Sequence, residues 1–417
     1  MNSIKDFMLR FRAGAGFLPV FLPLVFFFAA CNQNAIFYTI SQEPSLREPQ
    51  IKGTPSNMVV FDGKLYVANR FTLYRYGRPT PAEDPIWDSS FDQPGGEIRG
   101  VAATKDDLFV LTGEGLKRFV EVSGKWEWKD VSVDLNDAGG AKDYTKLQTI
   151  YADEDWLFVG SAGNGDPVAT GDNYAILYWD GTTGLKALKT GVHLLSGAVY
   201  NGTTHFLSTL GSGIFTASES GSPPVLTIST DPLPNSDLTK TDAKRKIVGI
   251  IYLEDAANTV VAVDRSGEIL AITTPFTGFT PRETKIGNYT TGALALWRTP
   301  ASPRPTPDFP ELLLAGIQGT LTSTTQSYTN GYRDIELGAS GGLPTDLSIH
   351  VPGTGGIPSI SNSDKYTSSL GKIPINYLFQ VPSDIDPAMP IFASTSGEGL
   401  WSYRDHEKNR DEHWNAE

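Results

Sequence analysis

The chain has 417 residues, of which 40% are hydrophobic and only 19% are charged, and it contains 42 glycines and 28 prolines. This composition disfavours a helical protein and favours a turn-rich, all-β chain. The formal net charge of −13 argues against a nucleic-acid partner, because an acidic surface repels the phosphate backbone.

Residues 1–30 are predicted to be a secretion signal peptide. Three basic residues precede residue 13, and the apolar segment 17–28 carries no charge. This segment is shorter than the roughly 20 residues that a membrane-spanning helix needs. Ala30 closes the segment with a small residue, as a cleavage site requires.

Cys31 is the only cysteine and follows the predicted cleavage site directly. A lone cysteine cannot form an internal disulfide. The sequence Phe-Ala-Ala-Cys at 28–31 resembles the lipobox of bacterial lipoproteins, with Phe28 where leucine is usual, and such relaxed lipoboxes resemble those of spirochaetes. The resemblance implies cleavage between Ala30 and Cys31, acylation of the Cys31 thiol with a palmitate-like lipid, and a membrane anchor. A secreted protein with a chance cysteine, or an uncut signal anchor, is the alternative.

From residue 56 onward, one unit recurs: an apolar strand, a short polar turn, a second apolar strand and a glycine. The last apolar residues of the predicted first strands are 42, 48, 49, 52, 45 and 82 residues apart. They are Phe61, Ala103, Tyr151, Tyr200, Tyr252, Trp297 and Phe379. Four-stranded propeller blades repeat at roughly 40–50 residues. The spacing predicts an all-β chain with one β-propeller of about seven four-stranded blades over 56–417.

A closed ring is expected because each blade has two apolar faces that its neighbours must cover. A β-sandwich or two separate β domains are the alternatives, and the blade count could differ by one. The second strands should place one residue each in equivalent buried positions. These residues are Val67, Val110, Val159, Leu207, Ala262, Leu314 and Ala393.

The ends of the blades are less strongly patterned. Candidate fourth strands lie at Trp126–Trp128, Val225–Ile228 and Asp334–Leu337. Residues 31–55 are expected to form a lipidated tether, and either Ile36–Ile40 within it or His413–Asn415 closes the ring. Residues 338–372 are expected to be a loop inserted between blades six and seven. It is rich in Gly, Pro, Ser and Thr and has one short strand within 346–351.

Binding residues are expected on the face that carries the connections between second and third strands, because long connections gather there. Charged or amide residues recur beside the glycines of these connections. They are Arg70, Glu114, Asp166, Arg265, Gln318 and Glu398. Ordinary solvated loop residues would give the same pattern.

Signals for catalysis are weak. The five histidines form no HExxH or HxH pair, and no G-x-S-x-G elbow, Walker loop or dinucleotide fingerprint occurs. No catalytic residue, metal or cofactor is therefore predicted, and the histidines are expected to be structural.

The signal, the relaxed lipobox and the turn-rich repeats together resemble lipoproteins of treponemes and other spirochaetes. This resemblance implies a monomer anchored in the cell envelope, at the outer membrane or cell surface. The leading hypothesis is a binding or scaffold module that recognises an envelope protein, a host protein or a glycan. The alternatives are a hydrolase or lyase acting on carbohydrate or peptide in the central channel, and a scaffold for envelope assembly.

Overall fold

The fold was described from a computed structural model. It covers residues 50–77, 86–123, 125–133, 146–153, 155–162, 174–179, 181, 184–222, 224–234, 247–254, 258–264, 267–285, 290–298, 311–317, 331–338, 342–347, 349–350, 370, 374–403 and 414–417. These residues form seven antiparallel sheets of four strands each, in which consecutive strands pair. The chain is a seven-bladed β-propeller, as the repeat predicts.

The strands of blades one to three alternate apolar residues with polar turns, as half-buried strands do. Blade one contains β1 (Pro55–Phe61), β2 (Lys64–Asn69), β3 (Thr72–Gly77) and β4 (Ile86–Asp88). Blade two contains β5 (Ile98–Ala103), β6 (Leu108–Thr112), β7 (Leu116–Val122) and β8 (Lys125–Asp130). Blade three contains β9 (Lys146–Asp153), β10 (Trp156–Ala162), β11 (Tyr174–Trp179) and β12 (Leu185–Thr190).

The remaining four blades follow the same order from inner to outer strand. Blade four contains β13 (Leu195–Tyr200), β14 (His205–Thr209), β15 (Gly213–Ser220) and β16 (Val225–Ile228). Blade five contains β17 (Ile247–Leu253), β18 (Thr259–Asp264), β19 (Glu268–Ile272) and β20 (Thr280–Lys285). Blade six contains β21 (Thr290–Trp297), β22 (Leu312–Ile317), β23 (Gly331–Glu336) and β24 (Ile349–His350). Blade seven contains β25 (Ile375–Gln380), β26 (Ile391–Thr395), β27 (Leu400–Tyr403) and β28 (Trp414–Ala416).

The core is divided into seven apolar clusters, and each cluster fills one seam between neighbouring blades. The inner strands of adjacent blades contact one another around the ring, including β25 with β1. All seven residues predicted for equivalent positions in the second strands are fully buried. The prediction of the blade register is therefore confirmed.

Each inner strand has a shift of register near its start, and small residues there let the blades approach closely. A Cβ on Gly100 would lie 2.9 Å from Cγ2 of Ile150 in the next blade, and one on Gly197 would lie 2.8 Å from Cγ2 of Ile250. Because real Cβ atoms do not come so close, these two seams depend on glycine.

Three carboxamide side chains take the place of backbone groups, since each both donates and accepts. The Asn57 amide bonds the backbone N–H and carbonyl of Val101 in blade two. The Gln380 amide bonds both backbone groups of Arg298 in blade six. The Gln93 amide pairs with both backbone groups of Leu73, beyond the end of the short strand β4.

One prediction about outer strands needs correction, and one choice is decided. Asp334–Leu337 is not a fourth strand: residues 331–336 form β23, the third strand of blade six, and β24 within the segment 338–372 is the fourth. Ile335 and Leu337 alternate with polar residues, a pattern that suits a third or a fourth strand equally. The C-terminal alternative closes blade seven, because β28 pairs with β27. Ile36–Ile40 lies outside the described residues.

Candidate functional site

The connections between second and third strands lie on one face of the ring, here called the loop face. Arg70, Glu114 and Glu398 are exposed on it, in blades one, two and seven. Asp166, Arg265 and Gln318, together with Ala30 and Cys31, lie outside the described residues. The expected binding role of all six remains a prediction.

The tip of blade one is a two-residue turn formed by Arg70 and Phe71, between the paired residues Asn69 and Thr72. Arg70 has φ 52, a left-handed conformation that is uncommon for a residue with a side chain. Its carbonyl accepts a 2.5 Å hydrogen bond from the N–H of Ile98, which begins blade two. The turn is thereby fixed to the neighbouring blade.

The side chains of this turn are also held. The Arg70 Nε lies 3.2 Å from Oε1 of Glu97, and its guanidinium carbon lies 5.1 Å from the centre of the Phe71 ring. Phe71 is nevertheless 56% exposed, the largest exposed fraction among the large apolar side chains described. An arginine–aromatic pair therefore faces solvent on a turn whose backbone is fixed to blade two.

Glu114 continues this region into blade two. A Cβ on Gly96 would lie 3.8 Å from the carboxyl carbon of Glu114, so the glutamate packs against the backbone that leads to Glu97. Gly96 has φ +73, a conformation that glycine adopts without strain. The Arg99 guanidinium lies beside Gly113, at 3.8 Å from its Cβ position.

Glu398 joins the same region from blade seven. Gly53 forms a parallel bridge with Glu398, and its Cβ position lies 3.5 Å from Oδ1 of Asn69, the residue before Arg70. The structure thus brings Arg70, Glu114 and Glu398 onto one continuous arc across blades seven, one and two. We call this surface the 7-1-2 arc.

Sequence reasoning missed Phe71, Glu97 and Arg99. Phe71 was not selected because only charged or amide residues were chosen at these connections, and Arg-Phe is not a usual hairpin turn. The gap of two residues between β2 and β3, two strands of equal length, was the signal that could have located the turn.

A second polar cluster lies at the opposite face, in the seam between blades three and four. His205 is fully buried, with Nδ1 3.0 Å from Oδ2 of Asp153 and Nε2 3.2 Å from Oε1 of Glu219. Tyr200 stacks on the imidazole at 4.5 Å, and Trp156 donates a 2.8 Å hydrogen bond to Glu219.

The charge state of His205 follows from this geometry. Burial lowers the pKa of His205, but the hydrogen bonds and charges of Asp153 and Glu219 together outweigh it and raise the pKa above 6.5. Carboxylates only accept hydrogen bonds, so an imidazolium satisfies both of them. The cluster joins two blades, and its histidine is fully buried while Glu219 reaches solvent. This arrangement fits a structural histidine.

Two other features are absent from the part of the chain that the structure describes. No group of three or more His, Cys, Asp or Glu residues is placed to hold a metal ion there. No helix in the described part is both long and apolar enough to cross a membrane.

Neither a protein-family model nor a curated protein matches the chain. Similar solved structures include the extracellular domain of BT4673 from B. thetaiotaomicron, described as a hybrid two-component system. It has a TM-score of 0.51 and 11% identity, over 84% of this chain and 38% of that chain. A second structure of that domain, described as a one-component system, also gives 0.51 and 11%, over 85% and 40%.

YCF48 from Cyanidioschyzon merolae has a TM-score of 0.47 and 10% identity, over 85% of this chain and 97% of that chain. The chain spans about two fifths of the length of the BT4673 structures. At these identities the likeness concerns the fold alone.

Proposed function

We propose that this chain is an extracytoplasmic binding module that recognises a protein partner through the 7-1-2 arc. The observation that carries the proposal is the Arg70–Phe71 turn, where an exposed aromatic ring and a guanidinium are held against blade two. Arginine and aromatic residues are enriched where protein interfaces derive most of their binding energy.

The rigidity of the turn supports this role. Binding loses affinity when flexible side chains must be ordered on contact. Here the hydrogen bond to Ile98 orders the backbone of the turn before any partner arrives, and the exposed ion pair with Glu97 adds only a little to this order. The surrounding charges of Glu97, Glu114 and Glu398 would form the polar rim of such an interface.

Location outside the cytoplasm is part of the proposal. The signal-like segment 1–30 supports export, and the sequence around Cys31 supports a lipid anchor of the kind found in spirochaete lipoproteins. The shared fold with an extracellular domain of BT4673 is compatible with the same side of the membrane. A binding module held at the outer membrane or cell surface would meet envelope or host proteins.

The proposal can be tested by photo-crosslinking in cells that produce the full chain. A benzophenone amino acid replaces Phe71 in one variant and Val225, 53% exposed on the outer strand of blade four, in the control. We expect one protein adduct that forms from position 71 and not from position 225, and that is reduced at least tenfold by Arg70→Ala.

Two outcomes would overturn the proposal. One is an absence of any adduct specific to position 71. The other is binding of the purified chain to a glycan array that Phe71→Ala abolishes, which would assign the arc to a sugar.

A further inference from the structure

Arg333, in the third strand of blade six, is a buried cation without an acidic partner among the described residues. Its side chain is 8% exposed. Its guanidinium donates a 2.8 Å hydrogen bond from Nη1 to the backbone carbonyl of Tyr332. No carboxylate of the described part of the chain forms an ion pair with it.

The alternation of β23 explains why the neighbouring acid does not pair with it. Ile335 packs in the cluster between blades five and six, whereas Tyr332 packs in the cluster between blades six and seven. Arg333 therefore lies on the blade-five side of the sheet, and Asp334 lies on the other side. In blade five, Asp264 lies two residues after Ala262, and Glu268 lies two residues before Leu270. Side chains two residues apart in a strand share a face, and Ala262 and Leu270 pack between blades four and five. Asp264 and Glu268 therefore face blade four.

The sequence around this position supplies no other acid. The segment 318–330, which connects β22 to β23, contains neither Asp nor Glu, and the tip of the blade-five hairpin, 265–266, is Arg-Ser. Arg333 is the third residue of β23 from the loop face. Neither of these two connecting segments therefore contains an acidic residue that could neutralise Arg333.

An unpaired buried guanidinium is costly. Arginine stays protonated at neutral pH, although burial, partly offset by the charge of Asp334, lowers the pKa of Arg333. Removing a charge from water without pairing it costs several kcal/mol. An anion that binds from solution would offset this free-energy cost by pairing with the guanidinium.

We propose that Arg333 anchors a subsite for an oxyanion, a carboxylate, sulfate or phosphate group of a ligand, at the loop-face end of the seam between blades five and six. The planar guanidinium can bind such a group through two parallel hydrogen bonds. This subsite lies in other blades than the 7-1-2 arc, so it goes beyond the proposed function and does not depend on the partner proposed there.

The test measures the melting temperature of the full chain by circular dichroism, in acetate, sulfate or phosphate against chloride at equal ionic strength. For the wild type we expect at least one oxyanion to raise the melting temperature, saturably, by about 2 °C or more. Arg333→Met should abolish this rise, and Arg333→Lys, which keeps the charge but lacks the planar fork, should weaken it. Lys125→Met, at an exposed cation on the outer strand of blade two, should leave it unchanged.

The same series distinguishes a ligand anchor from a structural arginine. In chloride, Arg333→Met should melt at the wild-type temperature or above it, since it removes an unpaired buried charge. A lower melting temperature of Arg333→Met in chloride would show that the guanidinium stabilises the fold, and would overturn the proposal. So would an equal oxyanion effect in wild type and Arg333→Met, or no oxyanion effect in the wild type.

Discussion

The phenol of Tyr76 donates a 2.5 Å hydrogen bond to Oδ2 of Asp386, across the seam between the first and last blades. Both side chains are fully buried, although they lie 310 residues apart in the sequence. The rings of Trp87 and Phe392 enclose Tyr76 at 5.1 and 5.4 Å. The closing seam of the ring therefore contains a polar contact within an apolar cluster.

Replacing Tyr76 with Phe should destabilise the ring, because the buried Asp386 carboxylate loses a donor. We expect a loss of about 1–3 kcal/mol in the free energy of unfolding, measured by urea denaturation. Tyr74→Phe is the matched control, since Tyr74 is half-buried in the same strand, and it should cost less than about 0.5 kcal/mol. Equal costs for the two variants would contradict a role for the hydroxyl contact.

The cluster around His205 should make stability depend on pH. A pKa raised by folding above 6.5 means that the folded state binds a proton more tightly than the unfolded state. The resulting stability is fully present below pH 6.5 and is lost as the pH rises through the folded pKa. We expect the free energy of unfolding to fall between pH 6.5 and alkaline pH.

Removing the imidazole should remove this dependence. His205→Gln should cost about 1–3 kcal/mol at pH 6, because the nearly buried Asp153 loses its cation while the exposed Glu219 is screened by solvent. It should also flatten the pH profile. His193→Gln, at a half-buried histidine that stacks on Tyr174, should keep the wild-type slope. A slope that survives in His205→Gln would assign the dependence to another group.

Val110→Asp tests the register of the second strands. Val110 is fully buried, so the new carboxylate would have no partner and should cost several kcal/mol. Val225→Asp makes the same change at a position that is 53% exposed and should be nearly neutral. The comparison is made by thermal melting, and an unchanged melting temperature for Val110→Asp would contradict the assigned register.

The segment 338–372 should tolerate shortening only in part. β24 lies within it, Leu343 and Leu347 pack against the core, and Leu370 is buried. Replacing residues 352–368 with a short Gly-Ser linker should leave the melting temperature nearly unchanged, because closure entropy varies only logarithmically with length. Replacing all of 338–372 should lower it by many degrees. Equal effects of both replacements would show that β24 contributes little.

The anchor is tested at Cys31. Cys31→Ala should abolish labelling with a palmitate analogue and release the chain from membranes, because acyl chains supply stable attachment. Cys31→Ser is a second variant, whose side chain has nearly the same volume as cysteine. Attachment to the membrane is measured by membrane separation and by detergent phase partitioning. Cys31→Ala protein that still enters the detergent phase would exclude the lipid as the anchor.

The blades could be predicted from the sequence because the four strands of each blade are consecutive in the chain. Val67 and its six equivalents could be aligned since every second strand is a short apolar run, followed by a glycine in all blades but the first. Burial of both sheet faces demands such runs. Outer strands were harder. β4 has three residues and β24 has two, too short for alternation to be distinguished from a loop.

The seams and the arc could not be predicted in the same way. Tyr76 and Asp386 meet because the ring closes, and Asp153 and His205 meet because blades three and four pack together. No periodic pattern records which side chains touch in these seams. Arg70, Glu114 and Glu398 could be selected by their position beside the hairpins. That they lie on one arc depends on the backbone at Gly53 and Gly96, whose geometry a sequence does not show.

The carboxamides that fasten the blades also set a limit on the chemical lifetime of the fold. Hydrolysis of the Asn57 amide would replace the donor to the Val101 carbonyl with a carboxylate oxygen, so an attraction would become a repulsion between two acceptors. The same conversion at Gln380 would separate blades six and seven at Arg298, and at Gln93 it would expose the edge of β3 beside Leu73. Ageing by deamidation would thus open the ring at particular seams while leaving the apolar core of every blade chemically intact.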